Sequence, residues 1–128
     1  MKAALKNTRG DRRRAAERRG KTAERWCLWH LRLKGYRILA RRYKTPLGEV
    51  DLIARRGRVL AAIEVKARPD FDRANEAITR RQQQRIARAL VHFLAGHPDL
   101  VSLTARFDVM LVAPGHWPRH LIDAWQEE

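Results

Sequence analysis

Two stretches rich in aliphatic residues, Glu49 to Arg55 and Val59 to Ala67, are separated by so few residues that they can pair in only one sense. Each has strand-like alternation, and the link around Arg55-Arg56-Gly57-Arg58 is short enough to close them as an antiparallel hairpin. Side chains alternate with period two, so Glu49, Asp51 and Ile53 share one face of the first strand and Val50, Leu52 and Ala54 the other. In the second strand Val59, Ala61, Ile63 and Val65 form an apolar face, and Leu60, Ala62, Glu64 and Lys66 project from the opposite one. A glycine-first turn at Gly57-Arg58 pairs Arg56 with Val59 and sets Asp51 opposite Glu64. A turn at Arg56-Gly57 moves Glu64 one diagonal step away. Both registers keep the carboxylates on one face, with Cβ atoms roughly 4.5–5.5 Å or 7–8 Å apart.

Like charges facing each other across a sheet are destabilising unless a cation offsets them. Carboxylate oxygens suit magnesium, with manganese as a substitute, and magnesium held by one or two carboxylates delivers a polarised water to a phosphodiester. Lys66 lies on the same face, where it would orient that water or stabilise charge on the phosphate. The competing reading of Asp51, Glu64 and Lys66 is a solvated salt-bridge cluster.

Elsewhere, Glu24, Leu28 and Leu31 recur at helical spacing between Lys21 and Lys34, with Gly35 as a left-handed stop. Tyr36 to Tyr43 reads as a strand, closed by the turn Thr45-Pro46-Leu47-Gly48. A second helix is expected from about Thr79 to Ala95, with Ile86, Leu90, Phe93 and Leu94 as its stripe and Gly96 as its stop. Ala105 to Ala113 alternates as a half-buried strand does, and Leu121 to Trp125 is ambiguous. Cys27, the single cysteine, reads as a small hydrophobe on the first helix. His116 and His120 have a ligand-like spacing, but Pro118 between them assigns them to a loop. Trp26, Trp29, Trp117 and Trp125 are read mainly as packing, with base stacking as the alternative.

Lys and Arg number 28 against 14 Asp and Glu, a formal charge of +14 that calls for a polyanionic partner. Nucleic acid, and DNA above RNA, is the expected one; no segment has the length and hydropathy of a membrane span or secretory signal, so a cytoplasmic protein is expected. Ten of the basic residues fall within the first 25 positions, where Leu5 is the only large aliphatic. Residues 1–20 therefore read as a flexible basic arm and residues 21–128 as one folded domain. Arg41, Arg42, Lys44, Arg55, Arg56, Arg58 and Arg68 surround the acidic strand and are the expected phosphate contacts.

The run Gly48-Glu49-Val50-Asp51-Leu52-Ile53-Ala54 followed by Ile63-Glu64-Val65-Lys66-Ala67-Arg68 resembles the YraN-like bacterial proteins. So do Gly35-Tyr36-Arg37-Ile38-Leu39, Glu76-Ala77-Ile78-Thr79 and Arg106-Phe107-Asp108-Val109. The resemblance implies an α/β (α+β) fold of the restriction-endonuclease and Holliday-junction-resolvase type, a mixed sheet flanked by helices. It also implies a PD-(D/E)xK nuclease site in which Asp51 is the motif aspartate and Glu64-Val65-Lys66 the E-x-K half. Val50 replaces the nominal proline before the aspartate. Glu24 matches the helix-1 glutamate and Gln83 a polar helix-2 position, while Gln82 stands where many relatives have lysine. The implied activity is magnesium-dependent hydrolysis of phosphodiester bonds in branched DNA, and a homodimer is implied by analogy with resolvases. The alternatives are a non-catalytic DNA- or RNA-binding module that keeps the fold, and a basic adaptor for a protein partner.

Overall fold

The protein is described by a computed structural model over residues 9–69 and 78–126; for Asp11 and residues 15–20 only the backbone is described. The elements are α1 (Arg9–Leu33), β1 (Arg37–Thr45), β2 (Gly48–Arg56), β3 (Val59–Ala67), α2 (Arg80–Ala95), a 3-10 turn (Pro98–Leu100), β4 (Thr104–Val112) and β5 (Arg119–Trp125). The five strands form one sheet in chain order. β3 and β4 run parallel and the other neighbours antiparallel. A parallel pair needs a long crossover, and the segment containing α2 supplies it. α1 covers one sheet face with Ala23, Cys27, Leu28 and Leu31 against Leu52, Ala54, Ala61, Ile63 and Met110. α2 covers the other with Ile86, Ala89, Leu90 and Phe93 against Val50, Ile53, Leu60 and Ala62. This is the expected mixed sheet flanked by helices.

Several expectations change. α1 begins at Arg9, so residues 9–20, read as a flexible arm, are helical; residues 1–8 lie outside the described residues. Arg, Ala and Glu are good helix formers, and propagation from the segment docked on the sheet needs no new nucleus. β4 is buried on both faces rather than one. Met110 and Val112 pack under α1 while Phe107 joins the α2 side, as happens to an interior strand covered by helices on each side. The ambiguous segment is the edge strand β5, and it includes His120, which had been assigned to a loop. Glu76 and Ala77 lie outside the described residues.

Helix ends follow their local chemistry. Gly35, at φ +89, terminates α1, with Tyr36 N–H donating to the Leu31 carbonyl at 2.9 Å. Thr79 caps α2 through a reciprocal box with Gln82: Gln82 N–H donates to the Thr79 hydroxyl and the Gln82 side chain accepts from Thr79 N–H, each at 3.1 Å. That capping role accounts for Gln82 without any part in catalysis.

The tightest approach between layers is at Gly48, where a Cβ would overlap the backbone carbonyl of Arg85 in α2. We expect Gly48→Ala to cost roughly 3 kcal/mol in a denaturant titration, the range for a forced backbone clash. An unchanged midpoint would show that α2 does not rest on the start of β2.

Candidate active site

β2 and β3 pair from Arg56↔Val59 to Leu52↔Ile63, the register of a glycine-first turn, and then part. Gly57 has φ +60 while Arg58 is not left-handed, as that turn requires. In place of the next rung, Asp51 Oδ2 accepts the backbone N–H of Val65 at 2.7 Å. The aspartate thus fills the fork between the strands, and the strand alternation breaks around it. Val50 and Ile53 both belong to the α2-side core, whereas strict alternation had placed Val50 with Leu52 and Ala54 on the opposite face.

β1 breaks at the same level. Arg42 has the left-handed φ of +48, so the consecutive residues Arg41 and Arg42 turn to one partner instead of to opposite faces. That partner is Glu24 on α1, at 3.3 Å from Arg41 Nε and 2.8 Å from Arg42 Nε, and its side chain is only 8% exposed. Glu24, expected in the catalytic set, is therefore engaged in fastening α1 to β1 above the fork. Burial first, then the charges of Asp51 and Glu24, push the Cys27 thiol up to about 12, which places both carboxylates around that buried residue.

The fork brings Glu64 to Asp51. Burial is the largest influence raising the Glu64 carboxyl, to about 8; the hydrogen-bonding contact with Asp51 and its charge add to this, Lys66 opposes it, and Glu49 adds a little. Among the described residues no group of three or more His, Cys, Asp and Glu is placed to hold a metal ion, so a cation at the fork would have only this pair as carboxylate ligands. Its chemistry fits a hard divalent cation: two adjacent oxygen-donor groups, one of which is held toward its protonated form by burial and by the neighbouring carboxylate. Gln83, the other expected catalytic residue, spends its amide nitrogen on the Ile78 carbonyl at 3.1 Å.

The family described as "Uncharacterised protein family UPF0102" matches residues 23–112, which include the fork, α2 and the part of α1 that docks on the sheet. The chain belongs to that family. Similar relatives are a UPF0102 protein of Parvibaculum lavamentivorans, 55% identical over 88% of this chain and 84% of that protein, and one of Nitrobacter winogradskyi, 51% identical over 87% and 94%. A solved structure of Archaeoglobus fulgidus Hjc, a Holliday junction resolvase, aligns with 77% of this chain and 72% of its own at 25% identity and a TM-score of 0.49. The kinship with YraN-like proteins read from the sequence holds.

In this UPF0102 chain the basic residues divide into two groups. Arg41, Arg42 and Lys44 on β1 lie toward the fork, and Arg68 lies past the end of β3, four residues beyond Glu64. Arg55, Arg56 and Arg58 lie at the hairpin turn, roughly 13–20 Å along the strands from the carboxylates at about 3.3 Å per residue. They do not flank the acidic pair as expected: Arg55 Nε donates to the Gly57 carbonyl, and Arg56 Nη1 to the Lys34 carbonyl.

A second polar cluster was not anticipated. Asp108 in β4 is fully buried and accepts from Arg106 Nε at 2.9 Å and Nη2 at 2.8 Å, from His120 Nε2 at 2.8 Å and from Asp123 N–H at 2.9 Å. His120 Nδ1 meets Lys34 Nζ at 2.8 Å, and Arg106 also donates to the Tyr36 hydroxyl. These bonds tie the edge strand β5 to the end of α1. Alternation puts Asp108 on the face opposite Phe107 and Val109, and because α1 covers that face, packing on Met110 and Val112, the aspartate requires buried partners.

Two pH dependences follow. Burial alone would raise Asp108, but the hydrogen bonds from His120, Arg106 and Asp123 N–H outweigh it and hold the carboxyl near 2. Its folded pKa lies below its ordinary 3.8, so the stability it contributes is present above that value and lost as pH falls toward 2. Acid titrations should show wild type losing about 2 kcal/mol over that window and Asp108→Asn lacking the loss. Glu64 has the opposite sign: its folded pKa is raised, so its contribution is present below about 4.5 and lost as pH rises through about 8. Without divalent metal, Glu64→Gln should melt above wild type at pH 8 and the gap should close toward pH 5. A gap independent of pH would mean that Glu64 is not held against Asp51.

Proposed function

We propose that this UPF0102 protein is a magnesium-dependent endonuclease that hydrolyses phosphodiester bonds in DNA, with Asp51 and Glu64 as metal ligands and Lys66 as the catalytic base partner or phosphate stabiliser. The observation that carries the reading is the fork, which forces two carboxylates together beside a lysine on a strongly basic protein. A bound magnesium ion, or manganese in its place, would polarise a water and neutralise charge on the scissile phosphate. Both carboxyl groups would have to be ionised to hold it, so binding would displace the proton that burial favours on Glu64. Val65 N–H keeps Asp51 in place, and Lys66, two residues along the same strand from Glu64, orients the water or donates to a phosphate oxygen. Arg41, Arg42, Lys44 and Arg68 position the backbone near the fork, and a duplex lying along the hairpin would reach Arg55, Arg56 and Arg58. Branched DNA, implied by the family resemblance, is the proposed substrate class.

One observation favours a non-catalytic DNA-binding module instead: Glu24 is committed to Arg41 and Arg42, and among the described residues no third His, Cys, Asp or Glu joins the pair.

The two readings separate under substitutions that change charge and keep shape. Asp51→Asn still offers an oxygen to Val65 N–H, so the fork should survive, yet it and Glu64→Gln should abolish magnesium-dependent cleavage of a labelled four-way junction. In chelator both variants should bind DNA as well as wild type or better: Asp51→Asn removes a negative charge facing phosphate, and Glu64→Gln replaces a carboxyl that keeps its proton without metal. Lys66→Met should keep metal affinity by calorimetry and lose cleavage about 10²- to 10⁴-fold. A wild type that binds DNA but neither binds magnesium nor cleaves would establish the binding module.

A further inference from the structure

α1 presents a second face that the core does not use. Trp26, Trp29 and Leu33 are 48%, 55% and 72% exposed, and Trp117, on the connection between β4 and β5, is 51% exposed. Burying a tryptophan is among the largest apolar gains available to a chain, so three left in water within one patch call for an occupant. With Thr22 and Arg25 these residues line an open groove of about 480 Å³. Trp117 meets Trp26 edge-on, with ring centroids 5.7 Å apart, and packs on His30 at 5.6 Å. The fourth tryptophan behaves differently: Trp125 stacks on Phe107 at 5.3 Å and 21° and is half-buried.

The groove lies toward the catalytic end of the sheet. Lys66 pairs with Leu111 and Ala67 with Val112, and Arg68 N–H donates to the Val112 carbonyl. The chain leaving β4 toward Trp117 therefore departs beside the end of β3 that carries Glu64 and Lys66. β5 is two strands from β3, about 10 Å across the sheet. α1, which carries Glu24 above the fork, also carries Trp26 and Trp29.

We infer that the Trp26–Trp29–Trp117 groove is a stacking platform for unpaired nucleobases of the DNA strand that runs past the Asp51–Glu64 pair. This deepens the proposed nuclease function and rests on it. Charge chooses the occupant. α1 carries nine Lys or Arg and three acidic residues, one of which, Glu24, is buried against Arg41 and Arg42. Pairing this face with a second copy would bring two such helices together, whereas a nucleic acid strand offers phosphates to Arg25 and its neighbours and flat rings to the indoles. The concave, aromatic-walled shape also suits inserted rings better than a bilayer surface, which takes a continuous apolar stripe. Bases are available to such a groove only where they are unstacked, so the substrate would carry single-stranded or junction-opened DNA next to the scissile bond.

The test uses the full chain in chelator, so that binding is measured apart from metal and cleavage. Wild type, Trp29→Leu, Trp117→Leu and the double variant Trp26→Leu/Trp29→Leu are titrated with a thymidine oligonucleotide and with a duplex of equal length. Leucine keeps an apolar side chain and removes the ring face, and thermal melts check that each variant is folded. Wild-type tryptophan emission should be quenched by the single strand. The double variant should lose roughly fivefold to a hundredfold in single-strand affinity per base released, and duplex affinity should change less than twofold. Single-strand affinity within twofold of wild type, or an equal loss on duplex, overturns the platform. So does unchanged single-strand binding together with lost self-association in sedimentation, or with lost binding to anionic phosphatidylglycerol vesicles. Asp51→Asn should retain the platform's affinity. A protein that stacks bases but never cleaves would refute the nuclease reading alone, and one that cleaves with indifferent tryptophan variants would refute the platform alone.

Discussion

The candidate site depends on one hydrogen bond, from the backbone N–H of Val65 to the carboxylate of Asp51. Two paired strands would ordinarily continue their ladder, and a side chain that takes over one rung ends it. Past that point β2 is free to follow β1, which it does to the Thr45↔Gly48 pair, while β3 follows β4 to Ala67↔Val112. The gap so created is where Glu64 meets Asp51. The fork is therefore both a break in the sheet and the partly buried place where the hairpin register brings the two carboxylates together.

Around it the charges are arranged against the local grain. A chain of formal charge +14 concentrates acidity at the fork and then surrounds it with cations, some already committed. Arg41 and Arg42 hold Glu24, and Arg85 holds Glu49 at 2.6 Å, which through that hydrogen bond lowers the Glu49 carboxyl. Asp51 and Glu64 have Lys66 close by, and burial first, then the contact with Asp51 and its charge, raise the Glu64 carboxyl. In the proposed function a divalent cation would offset the charge of the pair, and the surrounding arginines would draw in a phosphodiester.

Much of this was legible because it rests on local rules. The Gly57 turn set the hairpin register, the register set Asp51 level with Glu64, and Gly35, Thr79 and Gly96 marked helix ends through their own backbone chemistry. What escaped was non-local. The break in alternation at Asp51 needs the left-handed Arg42 on the neighbouring strand, and the fates of Glu24 and Gln83 depend on partners that periodicity does not reveal. Asp108 and His120 lie on neighbouring strands, and Pro118, which argued against a helix, did not argue against a strand beginning at Arg119. The helical start at Arg9 escaped because composition measures what a segment can bury, whereas this one continues a helix that is anchored elsewhere.

The central claim is that the fork holds a divalent cation between Asp51 and Glu64. The direct measurement is the anomalous scattering of a crystal of the protein grown with manganese, recorded at the manganese edge. The account predicts a peak bridging the two carboxylates, with Val65 N–H still donating to Asp51 and the peak lost in Glu64→Gln. A well-diffracting crystal grown with manganese that shows no peak at the fork, or manganese bound only at a site lacking both residues, would contradict it.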